Sequence, residues 1–156
     1  PGDKKRGKKM ENRTPQPIPR EEHCGNLLTM LMKAQEKSRH VSPRFMADTA
    51  DAMNLPVSEV FGVSSFYSFL STRPLGKNVI RLCRSVPCYL KGSGMILKCI
   101  EKELGIRPGE TTRDRAFSLE WTNCIGACDR APAMLVNNDV HGNLTPDRIS
   151  RILKKY

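Results

Sequence analysis

Between residues 21 and 72 the apolar positions recur at helical spacing. Leu27, Leu28, Leu31 and Ala34 fall on one face of a first helix. Ser42 stands where a cap belongs, with Pro43 at the first turn, and Met46, Thr49, Ala50 and Met53 follow at i, i+3, i+4 and i+7. That pattern predicts a second helix, because serine accepts from the free N–H groups of a helix start and proline lacks an N–H to leave unpaired there. Leu55-Pro56 ends it. A short piece around residues 58–61 and an aromatic stretch over 66–70 complete a compact helical unit, and Arg73-Pro74-Leu75-Gly76 marks its boundary.

From residue 77 onward the period changes. Val79-Ile80-Arg81-Leu82 reads as a strand that gives way to a loop at Cys83. Over residues 92–105, Met95, Ile96, Cys99, Ile100 and Leu104 return at helical spacing, with Gly105 as the stop. Phe117, Leu119 and Trp121 alternate as a second strand, while Ala133 to Val136 and Val140-His141 bracket an Asn137-Asn138-Asp139 turn. Thr145 and Pro146 open a last helix with an Ile149, Ile152, Leu153 stripe. The order β-α-β-β-β-α is that of a small mixed domain of roughly thioredoxin size.

Composition changes this picture little. With 156 residues, 38% of them hydrophobic, the chain has room for one main core and a small appended unit. No apolar run approaches the ~18 residues of a membrane span, and no charged segment leads into an apolar one as in an export signal. A cytoplasmic setting is expected. Charge is informative only in its placement. Half of the formal +10 lies in residues 1–20, where Lys4, Lys5, Arg6, Lys8, Lys9, Arg13 and Arg20 face only Asp3 and Glu11. Pro15, Pro17 and Pro19 keep that stretch extended, so it reads as a disordered, solvated tail. Basic charge of this kind does not by itself argue for a nucleic-acid partner, and none is expected.

The cysteines carry the chemistry. Cys24 stands beside His23 as an incidental thiol, and Cys99 lies on the apolar stripe of its helix. The others form two close pairs, Cys83-x4-Cys88 and Cys124-x3-Cys128, each in a loop that follows a strand. A reducing compartment favours metal binding over disulfides. Structural zinc usually takes C-x2-C knuckles, a thiol-disulfide reductase wants C-x-x-C, and a Rieske centre needs two histidines, whereas His141 lies far along the chain from either pair. Longer spacings suit a [2Fe–2S] rhomb, one pair to each iron. Such a cluster with its thiolates carries about −2 when oxidised and about −3 when reduced. Nearby cations (Arg84, Lys91 and Arg130 are candidates) and N–H donors (Gly92, Gly126 and the start of the 92–105 helix) would stabilise the added charge. Pro87 and Pro132 stiffen the loops.

These residues closely resemble the 24-kDa [2Fe–2S] family of respiratory complex I and of soluble NAD(P)-linked hydrogenases and formate dehydrogenases. The likeness runs through Glu59-Val60-Phe61-Gly62-Val63-Ser64-Ser65-Phe66-Tyr67, Cys83-Arg84-Ser85-Val86-Pro87-Cys88-Tyr89-Leu90-Lys91-Gly92, Asn123-Cys124-Ile125-Gly126-Ala127-Cys128-Asp129-Arg130-Ala131-Pro132 and Val140-His141-Gly142-Asn143-Leu144-Thr145-Pro146. It implies an α+β fold, with a small helical bundle over 21–74, which docks a partner, and a thioredoxin-like ferredoxin domain over 75–156, after the 1–20 tail. It implies Cys83, Cys88, Cys124 and Cys128 as cluster ligands, no catalytic residue of the chain's own, and FMN and NAD(P) on a larger partner subunit with further iron–sulfur centres. The chain itself has no strand–GxGxxG–helix signature. The reading is an electron-transfer subunit, of a soluble hydrogenase or formate dehydrogenase rather than complex I. Phe66, Tyr67 and Phe69 either dock the flavin subunit or pack as core. A stand-alone ferredoxin carrier and a zinc-stabilised binding module remain the alternatives.

Overall fold

The computed structural model describes residues 27–156. The basic tail, His23 and Cys24 lie outside the described residues. Three helices come first: α1 (Leu27–Ser38), α2 (Pro43–Met53) and α3 (Val57–Phe66). The expected cap is present, since Phe45 N–H donates to Ser42 Oγ at 3.2 Å, and the left-handed Asn54 (φ 53°) closes α2. Leu31, Val41, Met46, Ala50 and Val60 form the small core of this unit. The aromatics after it do not join that core. Phe66, Tyr67 and Phe69 are 79%, 42% and 48% exposed, which sets aside their reading as interior residues.

The remainder is a five-stranded sheet with helices. Its elements are β1 (Asn78–Cys83), α4 (Val86–Leu90), α5 (Ser93–Leu104), β2 (Glu110–Thr111), β3 (Phe117–Thr122), β4 (Met134–Val136), β5 (Asp139–His141) and α6 (Pro146–Leu153), with a 3-10 turn at Cys128–Arg130. The strand order is β2-β3-β1-β4-β5. β1 and β3 run parallel and the other pairings are antiparallel. Ile80 and Leu82 of β1, with Leu119 of β3, bury one face of the sheet against Ile96 and Ile100 of α5 and Ile149, Ile152 and Leu153 of α6. This is an α+β, thioredoxin-like arrangement. Strand β2 and helix α4 add to the expected order, both too short to leave a periodic signature.

Every residue of β1 is buried, as befits a central strand covered on both faces. Arg81 alternates with Ile80 and Leu82 and therefore points to the opposite face. Its guanidinium lies 4.8 Å from the Phe69 ring centroid, and Nη2 donates to Phe69 O at 3.4 Å. Burial lowers its pKa, and Glu120, paired with it across β3, works against that shift. Gln35 of α1 also binds this segment, accepting from Ser71 N–H at 2.5 Å and donating to Phe69 O. These contacts join the helical unit to the sheet, around a cleft of about 490 Å³ that Leu28, Met32, Tyr67, Leu70, Val79 and Arg81 line.

The segment after β5 is strapped beneath the 3-10 turn. Asn143 N–H donates to Arg130 O at 2.6 Å and Leu144 N–H to Pro132 O at 3.1 Å. A Cβ on Gly142 would sit 2.5 Å from Arg130 Cβ and 2.8 Å from Arg130 O, whereas one on Gly62 of α3 meets nothing within 4 Å. Two glycine-to-alanine changes therefore act with opposite signs. Gly142→Ala lowers unfolding free energy by about 1–3 kcal/mol through forced displacement, and Gly62→Ala raises it by about 0.5–1 kcal/mol. Urea unfolding midpoints of the two variants check both.

At the far edge, the Tyr156 hydroxyl donates to Asp139 Oδ2 at 2.7 Å, so the proton between His141 Nε2 and Tyr156 Oη (3.0 Å) belongs to the imidazole. Burial first, with Lys155 and Arg148 adding to it, lowers the His141 pKa below 6.5 despite Asp139. The unfolded chain then takes up a proton that the folded one resists, and stability is lost as pH falls through 6.5. Wild-type melting temperature should fall more steeply than that of His141→Gln between about pH 7.5 and 5.5.

Candidate metal centre

Parallel pairing sets the position of the site. Cys83, the last residue of β1, is in register with Thr122, the last residue of β3. Both loops consequently leave the same end of the sheet, side by side, although Cys83 and Cys124 are about 40 residues apart in sequence. In the first loop Arg84 N–H donates to Thr122 O at 3.0 Å, and Ser85 opens α4 with Pro87 in its first turn. That turn folds Cys88 inward, so Cys83 and Cys88 are 1% and 2% exposed. In the second loop Gly126 adopts a left-handed backbone (φ 78°) that few side chains tolerate. Its N–H reaches Cys124 Sγ at 3.4 Å, and Cys124 and Cys128 Sγ lie 3.5 Å apart on the surface.

The loops bind each other as well as themselves. Cys83 N–H donates to Ala133 O at 3.2 Å. The N–H groups of Ile125 and Ala133 act to lower the pKa of Cys83 and Cys88 respectively, each from the other loop. Ala127 and Ala133, with Ile125 and Ala131 beside them, pack against the two buried thiols.

The thiols feel one another's charge. Burial pushes Cys83 up, but the Ser85 N–H, the Cys88 thiol, the Ser85 hydroxyl and the Ile125 N–H together outweigh it, and its pKa falls below 9.0. Cys88 is pushed up to about 11, by burial and then by Cys83 beside it. Cys128 is raised by its hydrogen bond to Cys124 and by the charges of Cys124 and Cys83. Four thiolates this close repel, and a cationic inorganic core is the natural complement of such a donor set.

The donors fit such a core in number and spacing. A metal–thiolate bond of about 2.3 Å puts two sulfurs of a tetrahedral site about 3.8 Å apart, close to the 3.5 Å of Cys124 and Cys128. Among the described residues, no three His, Cys, Asp or Glu side chains are grouped as ligands of a single ion.

Of the expected helpers, Gly126 donates as anticipated, while Gly92 N–H closes a turn on Tyr89 O at 3.0 Å. Arg84 and Lys91 are exposed, and Arg130 pairs with Asp129 at 3.5 Å on the surface. Cys99 is half-buried against the main core, and His40 Nδ1 meets Ser38 O at 3.0 Å. The donors that sequence reasoning missed are Ser85, Ile125 and Ala133. Ser85, two residues after a pair cysteine, carried the one signal that could have found any of them.

The family model of the thioredoxin-like [2Fe-2S] ferredoxins matches residues 14–156. A subunit of the NADH-quinone oxidoreductase of Escherichia coli K12 is 44% identical over 107 residues, 69% of this chain and 64% of that one. The chain thus spans less than two thirds of that relative's length. NADP-reducing hydrogenase subunit HndA of Solidesulfovibrio fructosivorans is 36% identical over 132 residues, 85% of this chain and 77% of that one. Among solved structures, the NAD+-reducing [NiFe]-hydrogenase in the H2-reduced state superposes with a TM-score of 0.71 at 27% identity, over 83% of this chain and 22% of that chain. No helix among the described residues is long and apolar enough to cross a membrane. On its match, its fold and its paired thiols, the chain belongs to the thioredoxin-like [2Fe–2S] ferredoxin family, whose cofactor is a [2Fe–2S] cluster.

Proposed function

We propose that Cys83, Cys88, Cys124 and Cys128 hold one [2Fe–2S] cluster and that the chain is an electron-transfer subunit of a multisubunit NAD(P)H-linked oxidoreductase, exchanging single electrons with a flavin-bearing partner. The observation that carries this reading is the meeting of two thiol pairs, from distant loops, at one end of two parallel strands. When bound, the cluster supplies a reversible one-electron couple. The chain's own part is to hold the sulfurs, to aim N–H groups at them and to keep water from Cys83 and Cys88. Leaving Cys124 and Cys128 at the surface shortens the path to a partner.

Exposed apolar side chains support a docked partner. Val86, Tyr89 and Leu90 of α4 and Met95 of α5 flank the cysteine loop, and Phe61, Phe66 and Phe69 extend from the unit of α1, α2 and α3. We infer a parent complex of the soluble hydrogenase or formate dehydrogenase type. The longer alignment with the hydrogenase subunit supports it, and the higher identity of the quinone-reductase subunit weighs the other way.

Anaerobically isolated chain is expected to carry two irons and two sulfides with visible absorbance. Serine at position 83, 88, 124 or 128 removes or alters that spectrum, and Cys99→Ser leaves it unchanged. Colourless protein with one zinc and full occupancy would overturn the assignment. The native protein is expected to co-elute with a flavoprotein on size exclusion, and Phe66→Asp with Phe69→Asp to weaken that association at least tenfold. Elution of the native chain alone would favour a free carrier, and the co-eluting subunits name the complex.

A further inference from the structure

Arg81 is 8% exposed, and its Nε has no hydrogen-bond partner. Its Nη2 reaches Phe69 O at 3.4 Å, which is long for a hydrogen bond. Among the described residues the guanidinium makes no ion pair. A cation taken out of water is costly to hold unless an anion compensates it. Glu120 is its neighbour in the β1–β3 register, yet burial raises the Glu120 pKa although Arg73 and Arg81 oppose it. The carboxylate stands near without neutralising the guanidinium. Arg81 and Glu120 line a second cavity, of about 240 Å³, which shares Tyr67, Leu70 and Arg81 with the larger cleft. Arg73 enters it from the segment between α3 and β1, together with Ser68 and Thr72. Ser64 and Ser71 also line it, but their hydroxyls already donate to Val60 O and Arg73 O.

We propose that this cavity binds a tetrahedral oxyanion of the phosphate class, held between the guanidiniums of Arg73 and Arg81, with the hydroxyls of Ser68 and Thr72 donating to its remaining oxygens. Two guanidiniums against one carboxylate leave the cavity one positive charge in excess. Each guanidinium presents a planar fork of N–H donors that matches two oxygens of an anion. One such fork suffices for a flat carboxylate, whereas two forks and two hydroxyls suit an ion with oxygens on all sides. A water takes up about 30 Å³ in the liquid, so the cavity has space for a phosphoryl group and several waters. No cysteine lines it, and the inference does not depend on the cluster. Because Arg81 belongs to the sheet and Arg73 to the segment leaving the helical unit, an anion between them ties the two parts together and stabilises the fold by mass action.

The test is isothermal titration calorimetry of the full chain with inorganic phosphate at fixed ionic strength, alongside melting temperatures in the same series. Wild type should show one saturable site of millimolar affinity or tighter, and a melting temperature that rises and then levels off. Phosphate also stabilises proteins by exclusion from their surface, but that effect does not saturate and every variant shares it. Arg73→Gln, at an exposed position, should weaken binding by about tenfold or more. Arg81→Lys, which keeps the charge and loses the fork, should weaken it too. Glu120→Gln removes the competing carboxylate and should tighten it by about threefold or more. Where Arg81→Lys does not fold, the other two variants decide. No saturable heat with wild type, an Arg73→Gln variant that binds as wild type does, or a Glu120→Gln variant that binds no tighter overturns the site. Acetate binding as tightly as phosphate overturns the tetrahedral preference and points to a partner's carboxylate instead. None of these outcomes touches the assignment of the four cysteines.

Discussion

Two neighbouring strands that run the same way bring their C-terminal ends to one edge of a sheet, and whatever follows each strand meets there. In this chain β1 ends at Cys83, in register with Thr122, and the second cysteine loop starts immediately afterwards. An antiparallel pairing of the same strands would have sent the loops to opposite ends. The register is held by buried Ile80, Leu82 and Leu119, since a one-residue slip would turn those side chains out of the core. The geometry of the thiols is therefore inherited from the packing of the sheet rather than from either loop.

Around that fixed point the two pairs differ. Cys83 and Cys88 are enclosed by alanines and by donors from both loops, while Cys124 and Cys128 face outward. Gly142 lies so close to Arg130 that only hydrogen fits, which ties the outer loop to the segment leading into α6. Arg81 makes a second tie, on the opposite face of β1, between the sheet and the Phe69 segment. A guanidinium in such a place is costly to bury, and its contacts with the ring and carbonyl of Phe69 fix how the helical unit sits on the sheet.

Local signals were legible where one residue does one job. Ser42 and Pro43 announce α2, the Ile96–Ile100 stripe and Gly105 define α5, and Ile149, Ile152 and Leu153 define α6, because capping and periodicity act over a few residues. Helix α3 reads poorly. Gly62 and three serines dilute its pattern, and it persists through Val60 and Ser64 packing against neighbours, with Ser64 Oγ donating to Val60 O. The two cysteine pairs stand out from spacing, and the family likeness gives them a role. That the N–H groups of Ile125 and Ala133 bear on the pKa of the other loop's thiols is a matter of tertiary placement, on which their identity is silent. The exposure of Phe66 and Phe69 is equally invisible, since an aromatic run reads the same in a core or on a rim.

The long span of chain between the two cysteine loops has a thermodynamic corollary. On the proposed ligand set, an unfolded chain offers one pair of thiols at a time, so the four sulfurs come together only in the native ensemble. A prosthetic group that recognises only that ensemble shifts the folding equilibrium by mass action. Occupancy and conformational stability are then one linked equilibrium, and starving the protein of iron and softening its fold amount to the same perturbation.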